Sequence, residues 1–370
     1  MKIVVLSGHT KSLFWFRKDL MESFLKLGHT VYAIGSESPD EWTIKFSEMG
    51  VEYRQISIQR NGLNPLNDLE FIKKLYRILN ELKPDKIFSY QAKTIIYGSI
   101  SSSLNSISEY YPLVAGLGSV FRGRGTKNMV LKTILRLEYR LAFKLSKQVI
   151  FQNEDDGNYC LDHKIVSKEK IRFINGSGVN LDSFKPQELS HQTCFLFIGR
   201  LIKDKGIVEY LEASKKIKEK YPDCRCLLVG PYDTNPSALK EKELRPYIDD
   251  NTIEYFGEQE DVRPFLQQCT TFVLPSYHEG TPKTVLEAMA ASRAIITTDA
   301  PGCRETVING QNGFLVQVKN STMLYHKMEY LHLNPDINRQ MGQRSLELVR
   351  EKFDVKLVNE SIHRIMGLVK

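Results

Sequence analysis

Two short stretches hold residue types that could do chemistry. GRLIKDKG, residues 199–206, carries Arg200 and Lys205 at opposite ends of a loop that joins an apolar run to a helix-forming run. Two cations beside a helix N-terminus can hold a diphosphate through charge-assisted hydrogen bonds. PSYHEGTPKTVLEAMAA, residues 275–291, carries Glu279 at a glycine-containing turn and Glu287 inside a helical run, with seven residues between them. A carboxylate accepts hydrogen bonds in pairs, which suits adjacent hydroxyls of a sugar or ribose. Thr281 and Pro282 lead into Lys283, Thr284 and Val285, and proline suits a first helical turn, so the backbone N–H groups near Pro282 to Val285 can face an anion. Plainer readings stand beside these: a solvated basic loop, a turn carboxylate, an exposed helix position. Leu286, Ala288, Met289 and Ala290 make the helix mostly buried, however, and a buried carboxylate needs a partner.

The elements around these stretches are α/β. KIVVLSGHTKSLFWFRKDLMESFLKLGHTVYAIG reads as strand, turn, amphipathic helix, strand. The alternation continues through VEYRQISI, the helix DLEFIKKLYRILNELK, DKIFSY, a helix from about Thr94, PLVAG, a basic helix from about Lys127, and KQVIFQN. It begins again with CFLFIGR, a helix from Gly206, RCLLVGP, a helix near Ala238, TIEYFG, a short helix at Val262, TFVLPS, the 283–290 helix and AIITTD, and ends in three helices from Ser321 onward. Strands alternating with helices imply parallel sheets covered on both faces. The reading is two Rossmann-like domains, 1–184 and 193–350, joined by a linker at 185–192, with a helix at 351–370 crossing back to the first. Two such domains facing each other place a ligand cleft at the carboxyl ends of their strands.

A chain of 370 residues is long enough for two cores, and 42% hydrophobic with 26% charged residues is an ordinary folded composition. The six cysteines show neither a C-x-x-C pair nor a histidine cluster, which argues against a zinc site or a disulfide framework and fits a reducing compartment. The opening MKIVVLSGHTKS is too short an apolar run for a signal peptide, and no stretch approaches the roughly 18 apolar residues of a span. The net charge of +7 favours an anionic partner without choosing one. GSVFRGRGT places Arg124 and Gly125 where a P-loop needs lysine and a hydroxyl, and SGHTKS has one glycine where a dinucleotide fingerprint needs three, so neither ATPase nor dehydrogenase follows. His9 and His278 flank the expected cleft but read more simply as structural hydrogen-bonding residues.

GRLIKDKG, SYHEGTPKTVLEAMA and TTDAPGCRETVINGQNGFLV together resemble the C-terminal half of the retaining family-four glycosyltransferases, which have the GT-B architecture of two facing Rossmann-like domains. YQAKTIIYGS, VAGLGSVF, VIFQNEDD and INGSGVNLDSFKP are similar to a subgroup that extends undecaprenyl-diphosphate-linked saccharides in O-antigen, capsule or N-glycan assembly, one of them an α-1,3-N-acetylgalactosaminyltransferase. The resemblance implies a hexosyl or N-acetylhexosaminyl transfer from a UDP-sugar, with an α-1,3 or α-1,4 linkage. It assigns Arg200 and Lys205 to the donor diphosphate and to the charge growing on it, Glu279 to the donor sugar and Glu287 to the ribose. Phe256 and Gly257 are implied beside the base, and Gly8 in the loop approaching the donor phosphate. Front-face attack, with the donor phosphate taking the acceptor proton, needs no protein nucleophile. No cofactor or metal is expected, because the cations and helix N-terminus neutralise the diphosphate. A glycosidase pair is disfavoured, since a diphosphate leaving group needs no general acid. A histidine that many members carry at the end of the PLVAG strand is here replaced by Gly116, Leu117 and Gly118. A sugar-nucleotide epimerase or hydrolase of the same fold, and a non-catalytic sugar-nucleotide-binding subunit, remain the alternatives.

The helix KNMVLKTILRLEYRLAFKLSK sets Lys132, Arg136, Arg140 and Lys144 at four-residue intervals, one face, with Leu131, Ile134, Leu135, Leu141, Ala142 and Leu145 supplying apolar surface. A basic amphipathic helix can lie on an anionic leaflet, as an enzyme with a lipid-linked acceptor requires; an ordinary solvated face over a domain core explains the pattern equally well. Arg122, Arg124, Phe14, Trp15, Phe16 and Arg17 add to the first reading, and Lys93 in YQAKT, at a strand's carboxyl end, is a candidate for the acceptor diphosphate. The expected partners are therefore a UDP-sugar, a lipid-linked saccharide and the anionic inner-membrane surface from its cytoplasmic side, not nucleic acid.

Overall fold

Uninterrupted apolar runs such as IVVL and FLFI form strands covered on both faces, the pattern of parallel sheets. The computed structural model describes residues 1–58, 65–121, 123, 125–186, 188–190, 192–235 and 237–369. They divide into two compact units, Met1–Ser177 with Val355–Lys370, and Gly178–Asp354. The break therefore falls ahead of the polar stretch at 185–192.

In the first unit the strands are β1 (Lys2–Ser7), β2 (Thr30–Gly35), β3 (Glu52–Gln55), β4 (Lys86–Tyr90), β5 (Tyr110–Val114), β6 (Val149–Phe151) and β7 (Ile171–Phe173). They form one parallel sheet in the order β3-β2-β1-β4-β5-β6-β7. The helices between them are α1 (Thr10–Lys26), α2 (Pro39–Ser47), α3 (Pro65–Leu82), α4 (Ala92–Leu104), α5 (Thr126–Leu145) and α6 (Glu154–Asp162). Alternation along β1 sends Ile3 and Val5 to a core shared with Leu13, Leu20 and Phe24 of α1, and Val4 and Leu6 to one shared with Phe71, Leu75 and Leu79 of α3. A further core joins Ile95 of α4 and Tyr139, Ala142 and Phe143 of α5 to Phe151 and Cys160.

The second unit repeats the plan with β8 (Cys194–Ile198), β9 (Arg225–Val229), β10 (Glu254–Tyr255), β11 (Thr271–Leu274), β12 (Ala294–Thr298) and β13 (Gly313–Val316), ordered β10-β9-β8-β11-β12-β13. Its helices are α7 (Ile207–Lys220), α8 (Glu241–Asp249), α9 (Arg263–Gln268), α10 (Lys283–Ala290), α11 (Ser321–Leu333) and α12 (Pro335–Leu348), followed by a π-helical turn at Val349–Phe353. The last helix, α13 (Val355–Ile365), belongs to the first unit, where Val358, Ile362 and Met366 join the α1 core. Ser23 Oγ lies 2.8 Å from His363 Nε2, and Asn359 Nδ2 donates to Asp19 O at 3.1 Å.

Five elements differ from the sequence reading. The helix expected near Ala238 begins at Glu241, because Ala238 is held in an antiparallel bridge to Ile202. The short edge strands β7 and β13 and the helix α2 had not been read at all, and TIEYFG contributes only two strand residues.

Candidate active site

Where strand order reverses in an open parallel sheet, the loops leaving the two adjacent strands diverge and open a crevice at their carboxyl ends. In the second unit that reversal lies between β8 and β11. GRLIKDKG follows β8 and PSYHEGTPK follows β11, so topology alone brings the two chemical stretches together.

The two loops are tied at several points. The Tyr277 N–H and Ser276 Oγ both donate to Asp204 O, at 2.9 and 3.1 Å. Lys205 Nζ lies 2.5 Å from Glu279 Oε1, with both side chains mostly shielded from solvent. Tyr277 Oη donates to Glu209 Oε1 at 2.7 Å, so the segment 205–209 and the segment 277–279 are joined by two parallel side-chain contacts. On its other side the Glu279 N–H donates to Pro301 O at 2.9 Å. Gly302 holds φ +79°, and a Cβ there would lie 2.2 Å from Glu279 O, so only glycine allows this approach.

Arg200 is more open and pairs with Asp233, Nη1 to Oδ2 at 2.8 Å. Burial raises the Asp233 carboxyl, but the Asn235 N–H, 2.7 Å from Oδ1, and the Arg200 guanidinium outweigh it and hold the group below the ordinary aspartate range. Asp233 was not singled out in the sequence; its one signal was an acid in the polar run PYDTN after β9.

Glu287 sits on α10 at 8% exposure, and no hydrogen bond reaches its carboxylate among the described residues. Burial pushes it up to about 7, against a smaller downward pull from Lys283. Thr281 is buried ahead of the helix, and Pro282 is the residue that caps it. Thr284 Oγ1 donates to Ile198 O at 3.4 Å, linking α10 to the end of β8. Val285 takes a structural part instead: its side chain is wholly buried and its N–H donates to Pro282 O at 3.1 Å. Phe256 and Gly257 lie just beyond β10, where the Phe256 N–H donates to Leu228 O and Gly257 O accepts from the Gly230 N–H at 2.7 Å.

In the first unit the order reverses between β1 and β4. The Gly8 N–H, just after β1, donates to Gln91 Oε1 at 3.1 Å, and Gln91, just after β4, holds φ +78°. His9 Nε2 lies 3.2 Å from Glu37 Oε1. Lys93 is paired with Asp68 at 2.6 Å, and the other Asp68 oxygen accepts from Tyr97 Oη at 2.9 Å. Arg122 and Arg124 fall outside the described residues.

The cations of α5, of which Arg140 and Lys144 are exposed, also make contacts within the first unit. Lys132 Nζ donates to Phe121 O at 2.8 Å, Arg136 donates twice to Tyr159 Oη, and Arg140 donates to Lys164 O and His163 O. These cations tie α5 to α6 and its flanks. The apolar residues split: Leu135 and Ala142 face the core, whereas Ile134 and Leu141 face solvent.

The likeness of its sequence to known proteins makes this chain a glycosyltransferase. The chain belongs to the retaining family-four, or group 1, glycosyltransferases with the GT-B fold: a Glycosyl transferase 4-like family matches residues 3–153, and the Glycosyl transferases group 1 family matches residues 180–347. It is similar to the N,N'-diacetylbacillosaminyl-diphospho-undecaprenol alpha-1,3-N-acetylgalactosaminyltransferase of Campylobacter jejuni, 30% identical over 90% of this chain and 89% of that one. It is also similar to the UDP-Gal:alpha-D-GlcNAc-diphosphoundecaprenol alpha-1,3-galactosyltransferase of Escherichia coli, 26% identical over 70% of this chain and 69% of that one. Among solved structures, Anabaena HepE in complex with UDP-glucose matches over the whole of both chains with a TM-score of 0.80 at 16% identity.

Proposed function

We propose that the chain moves a hexose or N-acetylhexosamine from a UDP-sugar to a saccharide carried on undecaprenyl diphosphate, forming an α-1,3 or α-1,4 linkage in bacterial surface-polysaccharide or glycan assembly. Arg200 and Lys205 hold the donor diphosphate, Glu279 the transferred sugar and Glu287 the ribose. The bond from the sugar's anomeric carbon to the β-phosphate oxygen breaks, and the acceptor hydroxyl oxygen bonds to the same face of that carbon. The hydroxyl proton passes to the departing phosphate, leaving UDP. Lys205 acts by meeting charge that is greater on the leaving diphosphate than on the intact donor, which lowers the barrier rather than merely tightening binding.

The observation that carries this reading is that Arg200 and Lys205 follow β8 while Glu279 and the buried Glu287 follow β11, the two strands flanking one switch point, with Lys205 paired to Glu279. The undecaprenyl-linked acceptor is supported by the activities of the Campylobacter and Escherichia relatives, and the UDP-sugar by the Escherichia relative's donor and the HepE complex. Such an acceptor places the enzyme at the cytoplasmic face of the inner membrane.

The test is incubation of the protein with a panel of UDP-sugars and a lipid-diphosphate monosaccharide, read by mass spectrometry. A lipid-linked product one sugar longer is expected. Free sugar as the only product would indicate a hydrolase, and UDP binding without turnover a binding subunit.

A further inference from the structure

The first unit carries its own switch point, between β1 and β4, and one residue there stands apart in its backbone. Seven non-glycine residues among those described hold a positive φ, and six of them lie between 47° and 63°, the ordinary left-handed region. The seventh is Gln91, at φ +78° and ψ 142°, close to a region that only glycine populates freely. Such strain persists only where the surroundings over-determine it. Tyr90, the residue before, is held at its carbonyl by Thr94 Oγ1 and at its Oη by Ser12 Oγ, 2.8 Å away. Gln91 O itself accepts from the Ile95 N–H at 2.9 Å, which ties the residue to the first turn of α4.

The side chain shows what this backbone places. Gln91 Oε1 accepts the Gly8 N–H at 3.1 Å, and Gly8 O accepts from Ser36 Oγ at 2.9 Å, so the loop after β1 is held on both sides. An N–H cannot face an amide NH2, so the Gly8 contact also fixes which prong of the Gln91 amide is which. Nε2, with its two N–H donors, hydrogen-bonds no group among the described residues and is not sealed from solvent. The charged groups on the adjoining loops are matched within the unit, His9 by Glu37 and Lys93 by Asp68.

We propose that Gln91 is an acceptor-specificity residue: its Oε1 locks the Gly8 loop, and its Nε2 donates to an oxygen of the acceptor saccharide, a hydroxyl or an acetamido carbonyl. This rests on the reading of the chain as a transferase, in which the second unit's crevice holds the donor groups and the first unit's is left to the acceptor. A neutral amide suits a sugar oxygen; a phosphate would call for a cation. A lock alone does not account for glutamine here, because the single hydrogen bond to Gly8 contributes no more than the strained backbone costs.

The experiment compares wild type with three variants, reading the thermal midpoint and, at saturating UDP-sugar, the KM for a lipid-diphosphate monosaccharide that the wild type extends. Gln91→Gly relieves the backbone and removes the side chain, so its midpoint should stay at or above the wild type's while acceptor KM rises about tenfold. Gln91→Glu keeps an oxygen for the Gly8 N–H and loses both donors. Its acceptor KM should rise about five- to tenfold, with the KM for the UDP-sugar within about twofold of wild type. Gln91→Met, neutral and without donors, should raise acceptor KM as well, which separates a lost donor from repulsion by an added charge. Acceptor KM unchanged in Gln91→Glu or Gln91→Met, or a lowered midpoint in Gln91→Gly, would overturn the inference and leave the transferase reading in place. A wild type that extends no lipid-diphosphate monosaccharide would overturn both.

Discussion

Lys205 Nζ stands 2.5 Å from Glu279 Oε1, so the cation assigned to the diphosphate and the carboxylate assigned to the sugar already hold each other. The contact fixes a flexible lysine at the crevice before a donor arrives, limiting the ordering cost left for binding.

Removing that cation should act on turnover more than on donor binding. Lys205→Ala is expected to lower kcat by about 10² to 10³ at saturating UDP-sugar, the magnitude of one well-placed electrostatic contact to a growing charge. Release of UDP measures it; a loss under tenfold would remove Lys205 from the chemical step.

Tyr277 and Glu209 form the second rung between the same segments. Glu209 Oε2 is buried without a hydrogen-bond partner among the described residues, so its carboxylate depends on the phenol at Oε1. Tyr277→Phe should cost about 1–3 kcal/mol by leaving that group unsatisfied, and should lower kcat through misplacement of Glu279. Glu209→Gln in the Tyr277→Phe background should recover part of the stability, because a neutral amide is less costly to bury. A thermal midpoint that does not change in Tyr277→Phe would show that the rung carries no stability.

The backing of Glu279 can be disturbed selectively. Gly302→Ala forces a Cβ against Glu279 O and Gly280 O, whereas Gly310, at a similar φ of +80°, has open space around it. Both changes should cost about 1 kcal/mol in backbone strain. Only Gly302→Ala should also cut turnover, by about tenfold to a hundredfold if Glu279 shifts near 1 Å. Equal kinetics in the two variants would argue that the Glu279 backbone does not need this support.

The alternation of strand and helix was legible because a strand covered on both faces is written as a local apolar run, as in IVVL and FLFI. Strands such as IRF and GFLV escaped because three or four residues carry no period, and their pairing comes from a neighbour distant in sequence. The break at Ser177 escaped for a related reason: Val179 pairs with Asp354, so residues after 178 are bound into the second unit although the linker-like composition lies further on. Residue types singled out Arg200, Lys205, Glu279 and Glu287, but Asp233 reaches Arg200 across loops after two different strands, a contact no spacing reveals. Four-residue spacing correctly put the α5 cations on one side. It could not show that Tyr159 and the carbonyls beside α6 would take up Arg136 and Arg140.

Glu287 should make donor binding depend on pH. Its folded carboxyl titrates near 7 against 4.5 for an ordinary one, so the folded state holds more protons between those values and its stability falls as pH rises through them. A ribose diol donates to the ionised form, so donor affinity should rise by about tenfold from pH 6 to 8, measured with an intact UDP-sugar, whose diester diphosphate does not titrate there. Glu287→Gln should flatten the profile and be more stable than wild type at pH 8. A wild-type profile as flat as the variant's would rule out the ribose role.

Arg17 presents the opposite problem, a cation without an anion. It is 3% exposed on α1, its guanidinium carbon lies 5.6 Å from the Phe88 ring centre and 5.0 Å from that of Tyr90, and no carboxylate pairs with it among the described residues. Burial lowers it to about 10, with the Tyr90 phenol pulling the other way, and its Nε has no acceptor among the described residues. Cation–π contacts offset about 2 kcal/mol or more when desolvated, less than the several kcal/mol cost of burying the charge. Arg17→Met keeps the length and removes the charge, so it should leave the thermal midpoint unchanged or raise stability by about 1–4 kcal/mol. Destabilisation of that size instead would show that the two aromatic faces outweigh the lost hydration. A variant that is more stable but slower would place Arg17 among groups retained for activity rather than for the fold.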